Sequence, residues 1–504
     1  MESDKIYLYP HVKYENIKCE ISLNENEKKI FDFFLQNNPS NSVFRVAGGW
    51  VRDKLLNKPS DDIDITIDNI TGKEYADMIT EKNKEITIIK NSNEKSSHLQ
   101  TATIVLFDKQ IDIVNLRKEV YQKNSRVPEV SLGTPEEDVY RRDITINCLY
   151  YNINTGKVED LTGKGIEDLK NGIIRMPKSA YESLSEDPLR MLRVIRFATR
   201  FQFTLDNDIV ENIGKKELIE NYVNILSNER IQKEMTLMLE GPYPHSSVHL
   251  LNKFGILEHV LKFPYDEEIE KDKKGDFMKS ANMISVKHYL TNVNKLFGDL
   301  EKEFYEKRKI INYALVTSPV RKYIMRVNWK EVIGSKIILS MVLKLTNAEV
   351  NEITFLIEQI DKVKNLIETK EKQPKEFTRK DVGLYLRGGV KEQYLNIIFL
   401  LCACDDYCNE YPETIIETID AEKISSIVSK YLKLKKYIYD ENLQNVSTMK
   451  AIINGKVLIT EYNIKKTKHI SAVLEEIIQT QIENPKLTPD EAREIVKKMQ
   501  PDLK

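Results

Sequence analysis

The chain has 504 residues, 41% of them hydrophobic and 31% charged, with 76 basic and 78 acidic side chains summing to −2. That describes a well-charged globular protein of about three or four domains, and it excludes a globally basic nucleic-acid binder, leaving any RNA affinity to local patches. No apolar run nears the roughly 18–20 residues that cross a bilayer, so no membrane partner is expected.

Residues 1–42 read as a lead-in with one amphipathic helix over 24–35, where Ile30, Phe31, Phe34 and Leu35 recur at helical spacing. The segments 43–46, 63–67, 101–107 and 111–116 are rich in β-branched residues and predict strands, with a helix over 71–78 between them. The polar stretch 90–97 has no periodicity and reads as a mobile loop. Past Gly156 the pattern turns almost entirely helical. Segments 189–201, 227–240 and 246–262 show 3.6-residue spacing, and Pro177 and Pro188 start or precede helices. The charged stretch 266–277 reads as a linker or surface insertion, after which long amphipathic helices resume. Cys402, Cys404 and Cys408 fall in an apolar helix over 397–408 and are expected to be reduced core thiols. Thr488-Pro489-Asp490-Glu491 is a capping box that starts a final helix. The fold class is therefore α+β, a mixed sheet with helices followed by an all-α remainder.

Three clusters carry chemistry. In the first, Gly48-Gly49-Trp50-Val51-Arg52-Asp53 precedes Asp62-Ile63-Asp64. Residues i and i+2 of a strand share a face, so Asp62 and Asp64 project together. Two carboxylates beside a backbone stripped of side chains can hold divalent metal against a nucleoside triphosphate. Asp112, an acid in an otherwise apolar strand, is the best third ligand, since a lone acid there costs several kcal/mol unless paired or metal-bound. Its bland alternatives are an edge-strand cap or an ion pair with Arg52. Asp61 and Asp68 are nearby acids, and Asp68 is read as a surface residue. Gly48 and Gly49 let backbone N–H groups approach phosphate, and Arg52 could reach one too. These residues predict a metal-dependent nucleotidyltransferase with a two-metal site for Mg²⁺, or Mn²⁺ in its place.

The second cluster, Asp138-Val139-Tyr140-Arg141-Arg142-Asp143, ends a helix opened by Pro135, and its arginines suit ribose and phosphate as well as they suit a surface ion-pair network. The third is Glu186-Asp187-Pro188-Leu189-Arg190-Met191-Leu192-Arg193. With Pro188 starting a helix, Asp187 and Arg190 lie about 60° apart on one face. Arg193 and Arg200 continue the charged arc. An acceptor beside a donor matches the amine-plus-ring-nitrogen edge of cytosine and adenine and repels the carbonyl of uracil and guanine, so the pair would accept CTP and ATP. An i,i+3 salt bridge is the plain alternative.

Taken together these motifs resemble the class II tRNA nucleotidyltransferases, the CCA-adding enzymes, within the polymerase-β-like superfamily. Besides the three clusters, Glu229-Arg230-Ile231-x-x-Glu234 matches in order and spacing, and the likeness spans about residues 43–262. Gly133-Thr134-Pro135-Glu136-Glu137-Asp138 looks most like the eukaryotic, fungal-type members. The resemblance implies that Asp62 and Asp64 bind the metals, and that Arg141, Arg142 and Asp143 contact ribose and phosphates. It makes Asp187 and Arg190 a protein template for the base, supported by Arg193, with Glu229, Arg230 and Glu234 bracing the helix behind. It aligns 156–165 with a hinge and the polar loop at 84–99 with the flexible loop needed for the final adenosine. It implies a lead-in at 1–42, a catalytic head at 43–155, a neck at 156–265, a body at 266–440 and a tRNA-binding tail at 441–504.

Beyond residue 265 no motif is recognised. Lys433, Lys435 and Lys436, and Lys465, Lys466 and Lys468, form basic patches suited to the tRNA backbone or to a solvated helix face. None of the seven histidines forms an HD dyad, so a phosphohydrolase domain is not expected. A poly(A) polymerase, or an enzyme adding only CC or only A, shares these head and neck motifs. An inactive RNA-binding scaffold would have lost a metal acid, whereas Asp62, Asp64 and Asp112 are all present. Met1-Glu2-Ser3-Asp4-Lys5 lacks the features of a secretory signal or transit peptide. Cytoplasm or nucleus is therefore the expected location, with a mitochondrial share left open.

Overall fold

The computed structural model describes residues 7, 9–38, 40–60, 62–82, 87–89, 101–120, 129–263, 274–293, 301–372, 378–412 and 419–499. The chain divides into two units, Met1–Lys262 and Phe263–Lys504. Among the described residues the first unit has eleven strands, a short parallel pair Ile173–Ile174 and Thr204–Leu205 and nine before it: β1 (Phe44–Ala47), β2 (Ile63–Ile67), β3 (Thr87–Ile89), β4 (Ala102–Leu106), β5 (Lys109–Asn115), β6 (Arg117–Val120), β7 (Glu129–Leu132), β8 (Tyr150–Asn152) and β9 (Lys157–Glu159). Seven of them form one mixed sheet in the order β3-β4-β5-β2-β1-β8-β9, while β6 and β7 make a separate antiparallel pair. β2 and β5 run parallel, with Ile63 opposite Ile111 and Asp64 opposite Asp112. Registered residues of parallel neighbours point to the same face, so this pairing sets two acids side by side.

The lead-in helix Glu25–Gln36 begins where expected because Asn24 and Glu27 cap it reciprocally. Glu27 does more than cap. It is buried, pairs with Lys54 at 2.6 Å and accepts from Trp50 Nε1 at 3.3 Å, which docks the lead-in beneath the glycine turn. Ahead of it, Tyr9 donates to the Phe203 carbonyl at 2.7 Å and the Tyr7 hydroxyl accepts from Leu205 N–H at 2.7 Å.

Three expectations about elements change. Thr87–Ile89, inside the loop expected at 84–99, is an edge strand, and 84–86 and 90–99 lie outside the described residues. The sheet continues past Gly156, since β9 pairs with β8. The segment 246–262 is two helices, Pro244–Lys253 and Leu257–Val260, because Gly255 takes a left-handed φ of +70° between them.

The second unit is mostly helical. Of the linker read at 266–277, residues 266–273 lie outside the described residues, but from Lys274 the chain is already in the helix Lys274–His288. The long helices Asn347–Lys372, Glu392–Glu410 and Ala421–Asp440 follow. Cys402, Cys404 and Cys408 are free thiols on the buried side of Glu392–Glu410. Asp405 between them is wholly buried and gathers Arg321 Nη2 at 3.0 Å, Lys279 Nζ at 2.6 Å and Lys364 Nζ. Burial pushes its carboxyl up, but Arg321, Lys364 and Lys279 outweigh that and hold it well below the carboxylate range. One departure from all-helical is an antiparallel hairpin, Ile324–Val327 with Lys330–Ile333. At the end, Thr488 and Glu491 cap Pro489–Met499, which closes an apolar cluster of Ile453, Leu458, Val473, Ile477, Ala492 and Val496. No helix among the described residues is long and apolar enough to cross a membrane.

Candidate active site

A cleft of about 880 Å³ in the first unit gathers Gly48, Gly49, Arg52, Asp64, Arg141, Arg142, Asp143, Asp187, Arg190, Arg193 and Arg230. Arg200 of the charged arc lines it as well, and so do Arg117, Glu119, Asn147, Arg196 and Phe197, to which the sequence assigns no role. Nine arginines face four carboxylates there, a balance suited to a polyanion.

Asp64 sits on β2, with Asp112 its registered neighbour on β5. Asp112 accepts from Thr103 Oγ1 at 2.7 Å, so its partner is a hydroxyl and the ion pair with Arg52 does not form. Asp62 is exposed just before β2, Asp61 lies outside the described residues, and Asp68 is exposed and accepts from Val43 N–H at 3.0 Å. Burial, then the charges of Asp112 and Asp62, pushes the Asp64 carboxyl up to about 6, although Arg142 and Arg117 pull the other way. Two carboxylates that repel each other are what a divalent cation relieves. Among the described residues no three acids, histidines or cysteines close into a metal cage. A magnesium-type ion needs only one or two carboxylates and completes its shell with phosphate oxygens and water, so the registered pair fits one.

Gly48 makes the turn into the helix Gly49–Leu55 at φ +71°, and a Cβ there would meet Arg142 Nη1 at 2.9 Å. Its N–H is already donated to the Leu149 carbonyl at 3.0 Å. Of the glycine pair, Gly49 is the one whose N–H the helix itself cannot use. Arg52 is buried and its fork grips Asp53 at 2.9 Å on both oxygens, with Nη1 on Asn147 and the guanidinium 4.7 Å from the Phe201 ring centre. Its charge is balanced inside the protein.

Beneath the two other arginines lies a residue that sequence reading quoted without a role. Asp138, wholly buried, accepts from Arg141 Nε at 2.9 Å and Nη2 at 2.5 Å on one oxygen. Its other oxygen takes Arg142 Nε at 3.0 Å, Arg142 Nη2 at 2.8 Å and the Tyr150 hydroxyl at 2.5 Å. Burial raises its carboxyl, but Arg142, Arg141 and Tyr150 prevail and leave it at about 2. The spacing of an acid three and four residues before two arginines was the available signal. Asp143 is held from the opposite wall by Arg193, whose Nη2 lies at 2.6 Å, and Glu234 links Arg193 at 3.5 Å to Arg196 at 2.6 Å.

The third cluster is built differently from expectation. The helix starts at Arg190, Pro188 and Leu189 form a turn, and Asp187 caps the preceding helix Ala180–Glu186 in an extended conformation. Pro188 forces this, because its ring disfavours helical geometry in the residue before it. Asp187 accepts from Leu189 N–H at 3.1 Å and from Arg230 Nη2 at 2.8 Å. Arg190 does not pair with it. Its Nη1 donates to the Ser183 carbonyl at 3.0 Å and hydroxyl at 2.7 Å and to Glu186 at 3.3 Å, and its Nη2 to the Arg141 carbonyl. Of its motif, Arg230 joins the cluster through Asp187 and Glu234 through Arg193 and Arg196, while Glu229 is exposed.

In the second unit, Lys433 is exposed, Lys435 donates to Asn396 at 2.8 Å and Lys436 pairs with Asp440 at 2.7 Å. Lys465, Lys466 and Lys468 are exposed at the N-terminus of Thr467–Glu483, where the helix dipole disfavours cations.

A seven-stranded sheet with registered acids under an arginine-lined cleft defines a nucleotidyltransferase head. The family model described as the Poly A polymerase head domain matches residues 44–175, and the one described as the probable RNA and SrmB-binding site of polymerase A matches 202–266. The mitochondrial CCA tRNA nucleotidyltransferase of Saccharomyces cerevisiae is 32% identical over 90% of this chain and 88% of its own length. That of Candida glabrata is 30% identical over 91% of each. The chain belongs to the CCA tRNA nucleotidyltransferase family. In fold it is similar to the Thermotoga maritima CCA-adding enzyme complexed with tRNA, with a TM-score of 0.61 at 21% identity over 96% of this chain and 97% of that one.

Proposed function

We propose that the protein adds C, C and A to the 3′ end of tRNA, using CTP and ATP as substrates and no nucleic-acid template. The observation that carries this reading is the meeting of Asp64, the Asp138-anchored arginines, Asp187 and Arg190 in one cleft. The tRNA 3′-hydroxyl attacks the α-phosphorus, the bond to the β-phosphate oxygen breaks, and pyrophosphate leaves. Arg141 and Arg142 take up phosphate charge, and because Asp138 already fixes them they need not reorganise. Asp143, clamped by Arg193, accepts from the ribose. Asp187 accepts from the exocyclic amine of cytosine or adenine and Arg190 donates to the ring nitrogen, for which it exchanges its bond to the Arg141 carbonyl. Arg230 and Glu234 position these two groups. Asp62, Asp64 and Asp112 would hold Mg²⁺ or Mn²⁺, which supplies Lewis-acid activation of the hydroxyl and charge relief on the leaving phosphate. Gly48 and Arg52 shape the floor beneath the phosphates, and Gly49 offers its N–H to them.

The lysines at 433–436 and 465–468 are proposed contacts to the tRNA backbone, of which the three at the helix N-terminus have the fewest partners. The division into head, neck, body and tail at 155, 265 and 440 belongs to the same proposal. A mitochondrial share follows the relatives' names, and cytoplasmic or nuclear sites are proposed beside it. Incubating the protein with tRNA lacking its 3′ end and each nucleotide, alone and in pairs, tests the reading. CTP alone should add two residues, and CTP with ATP three. Arrest after two C in the presence of ATP, or extension into poly(A), would replace it with one of the related activities.

A further inference from the structure

The hairpin in the second unit ends in a two-residue turn, Asn328-Trp329, with φ of +50° and +65°. Such a turn wants positive φ at both central positions, which Asn tolerates and Gly fills without strain. Tryptophan is among the least suited residues there. It gains nothing from the fold in return, because Trp329 is 98% exposed. The base of the hairpin is fixed. Gly334 N–H donates to the Tyr323 carbonyl at 2.7 Å, and the Tyr323 hydroxyl to Asp276 at 2.7 Å. A rigid arm therefore holds a bare indole in solvent.

Its neighbours indicate what it meets. Arg326 and Lys330 flank the tip, both exposed, and among the described residues no ion pair engages either. Asn328 and Glu331 are the other exposed side chains at the end of the arm. A protein-docking surface would surround the indole with contiguous apolar area. Here one large π-face stands between Lys330 on one face of the hairpin and Arg326, registered opposite Glu331, on the other, and the single further exposed apolar side chain on the arm, Ile324, lies at its base. That combination suits RNA, whose unstacked bases lie on aromatic rings while its phosphates meet Lys and Arg.

We infer that the 324–333 hairpin is an RNA contact in which Trp329 stacks on an unpaired base of the tRNA while Arg326 and Lys330 meet the adjoining phosphates. The inference rests on tRNA being the substrate and adds a grip that the cleft does not supply.

The chain carries a built-in probe. It has two tryptophans, and Trp50 is 1% exposed, so fluorescence accessible to acrylamide comes from Trp329. Titrating the full-length protein with tRNA should shield that fluorescence from acrylamide. Trp329→Gly should raise the KM for tRNA by about tenfold and leave the KM for CTP and the kcat at saturating tRNA unchanged. Its Tm should hold or rise, because glycine relieves the turn. Trp329→Phe should restore most of the tRNA affinity. Unchanged acrylamide quenching at saturating tRNA, in a sample that extends the tRNA normally, overturns the stacking while leaving the activity intact. So does a Trp329→Gly variant with wild-type KM for tRNA, including one whose only defect is lost self-association in sedimentation, which would give the ring to a second copy. A wild-type protein that neither binds nor extends tRNA overturns the activity reading and this inference with it.

Discussion

Each unit buries one aspartate completely and surrounds it with cations. Asp405 in the second unit holds Arg321, Lys279 and Lys364, and Asp138 in the first holds Arg141 and Arg142. Both carboxyls are driven below their ordinary range by these partners. The difference lies in what the cations border. Arg321 turns to a second acid, Asp361, at 2.8 Å, so that cluster closes on itself as a fold element. Arg141 likewise reaches a second acid, Glu119, at 3.2 Å, and Arg142 the Asn147 carbonyl at 3.1 Å, but both line the cleft, where a ligand can compete for those bonds. A buried ion cluster alone is no sign of a site; an open edge makes it one.

Asp64 is the counter-example, a carboxylate among carboxylates, and changing it should give the largest effect. Asp64→Asn should cut nucleotide incorporation by about a thousandfold or more, the loss of several kcal/mol of transition-state stabilisation, while tRNA binding survives in a gel-shift assay. The same variant should be more stable than wild type. A folded carboxyl at about 6 binds a proton that the unfolded chain, near 3.8, has released, so Asp64 removes stability as pH rises between those values. Thermal melts in EDTA should show Asp64→Asn ahead by up to about 3 kcal/mol at pH 7.5 and level with wild type below pH 3.8.

Asp405→Asn and Asp138→Asn should each cost about 3–5 kcal/mol, because each strands buried cations. Only Asp138→Asn should also raise the KM for CTP. Equal nucleotide kinetics in the two variants would erase the distinction between them. The pH dependence of Asp138 has the opposite sign to that of Asp64. Its contribution is whole above about 3.8 and is lost as pH falls toward 2, which acid melts of Asp138→Asn against wild type would resolve.

Arg190→Ala should relax discrimination against UTP and GTP by about tenfold in a competition assay, the worth of one good hydrogen bond to a base. An unchanged preference would remove Arg190 as a base reader. Charge reversal at Lys465, Lys466 and Lys468 should raise the KM for tRNA a few-fold and flatten its salt dependence. Identical salt slopes would return them to a solvated helix end.

What the sequence made legible was local. β2 runs over Ile63–Ile67 as its β-branched residues predict, the last helix starts at the capping box of Thr488, and Gly48, Asp64, Arg141, Asp187 and Arg230, one from each motif, line one cleft, whose lining does not include Asp62 or Asp112. What it hid was set by contacts distant in the chain or by turn chemistry that departs from habit. Tyr150 meets Asp138 only once β8 is in the sheet. Pro188 in the sequence predicts a helix start, whereas in the structure it holds Asp187 extended and the helix begins at Arg190. The hairpin at 324–333 escaped notice because Asn-Trp is not the Asn-Gly that announces such a turn.

The buried cysteines give each unit its own clock. Cys148 lies under the cleft, its thiol donating to the Val139 and Ile144 carbonyls at 3.2 Å, and Cys402, Cys404 and Cys408 flank Asp405. Cys19 is the exposed one. With Cys19 replaced by serine, the rate at which a thiol reagent enters Cys148 measures local opening of the catalytic floor, and its rate at the other three measures opening of the helical half. Bound nucleotide should slow the first clock and leave the second running.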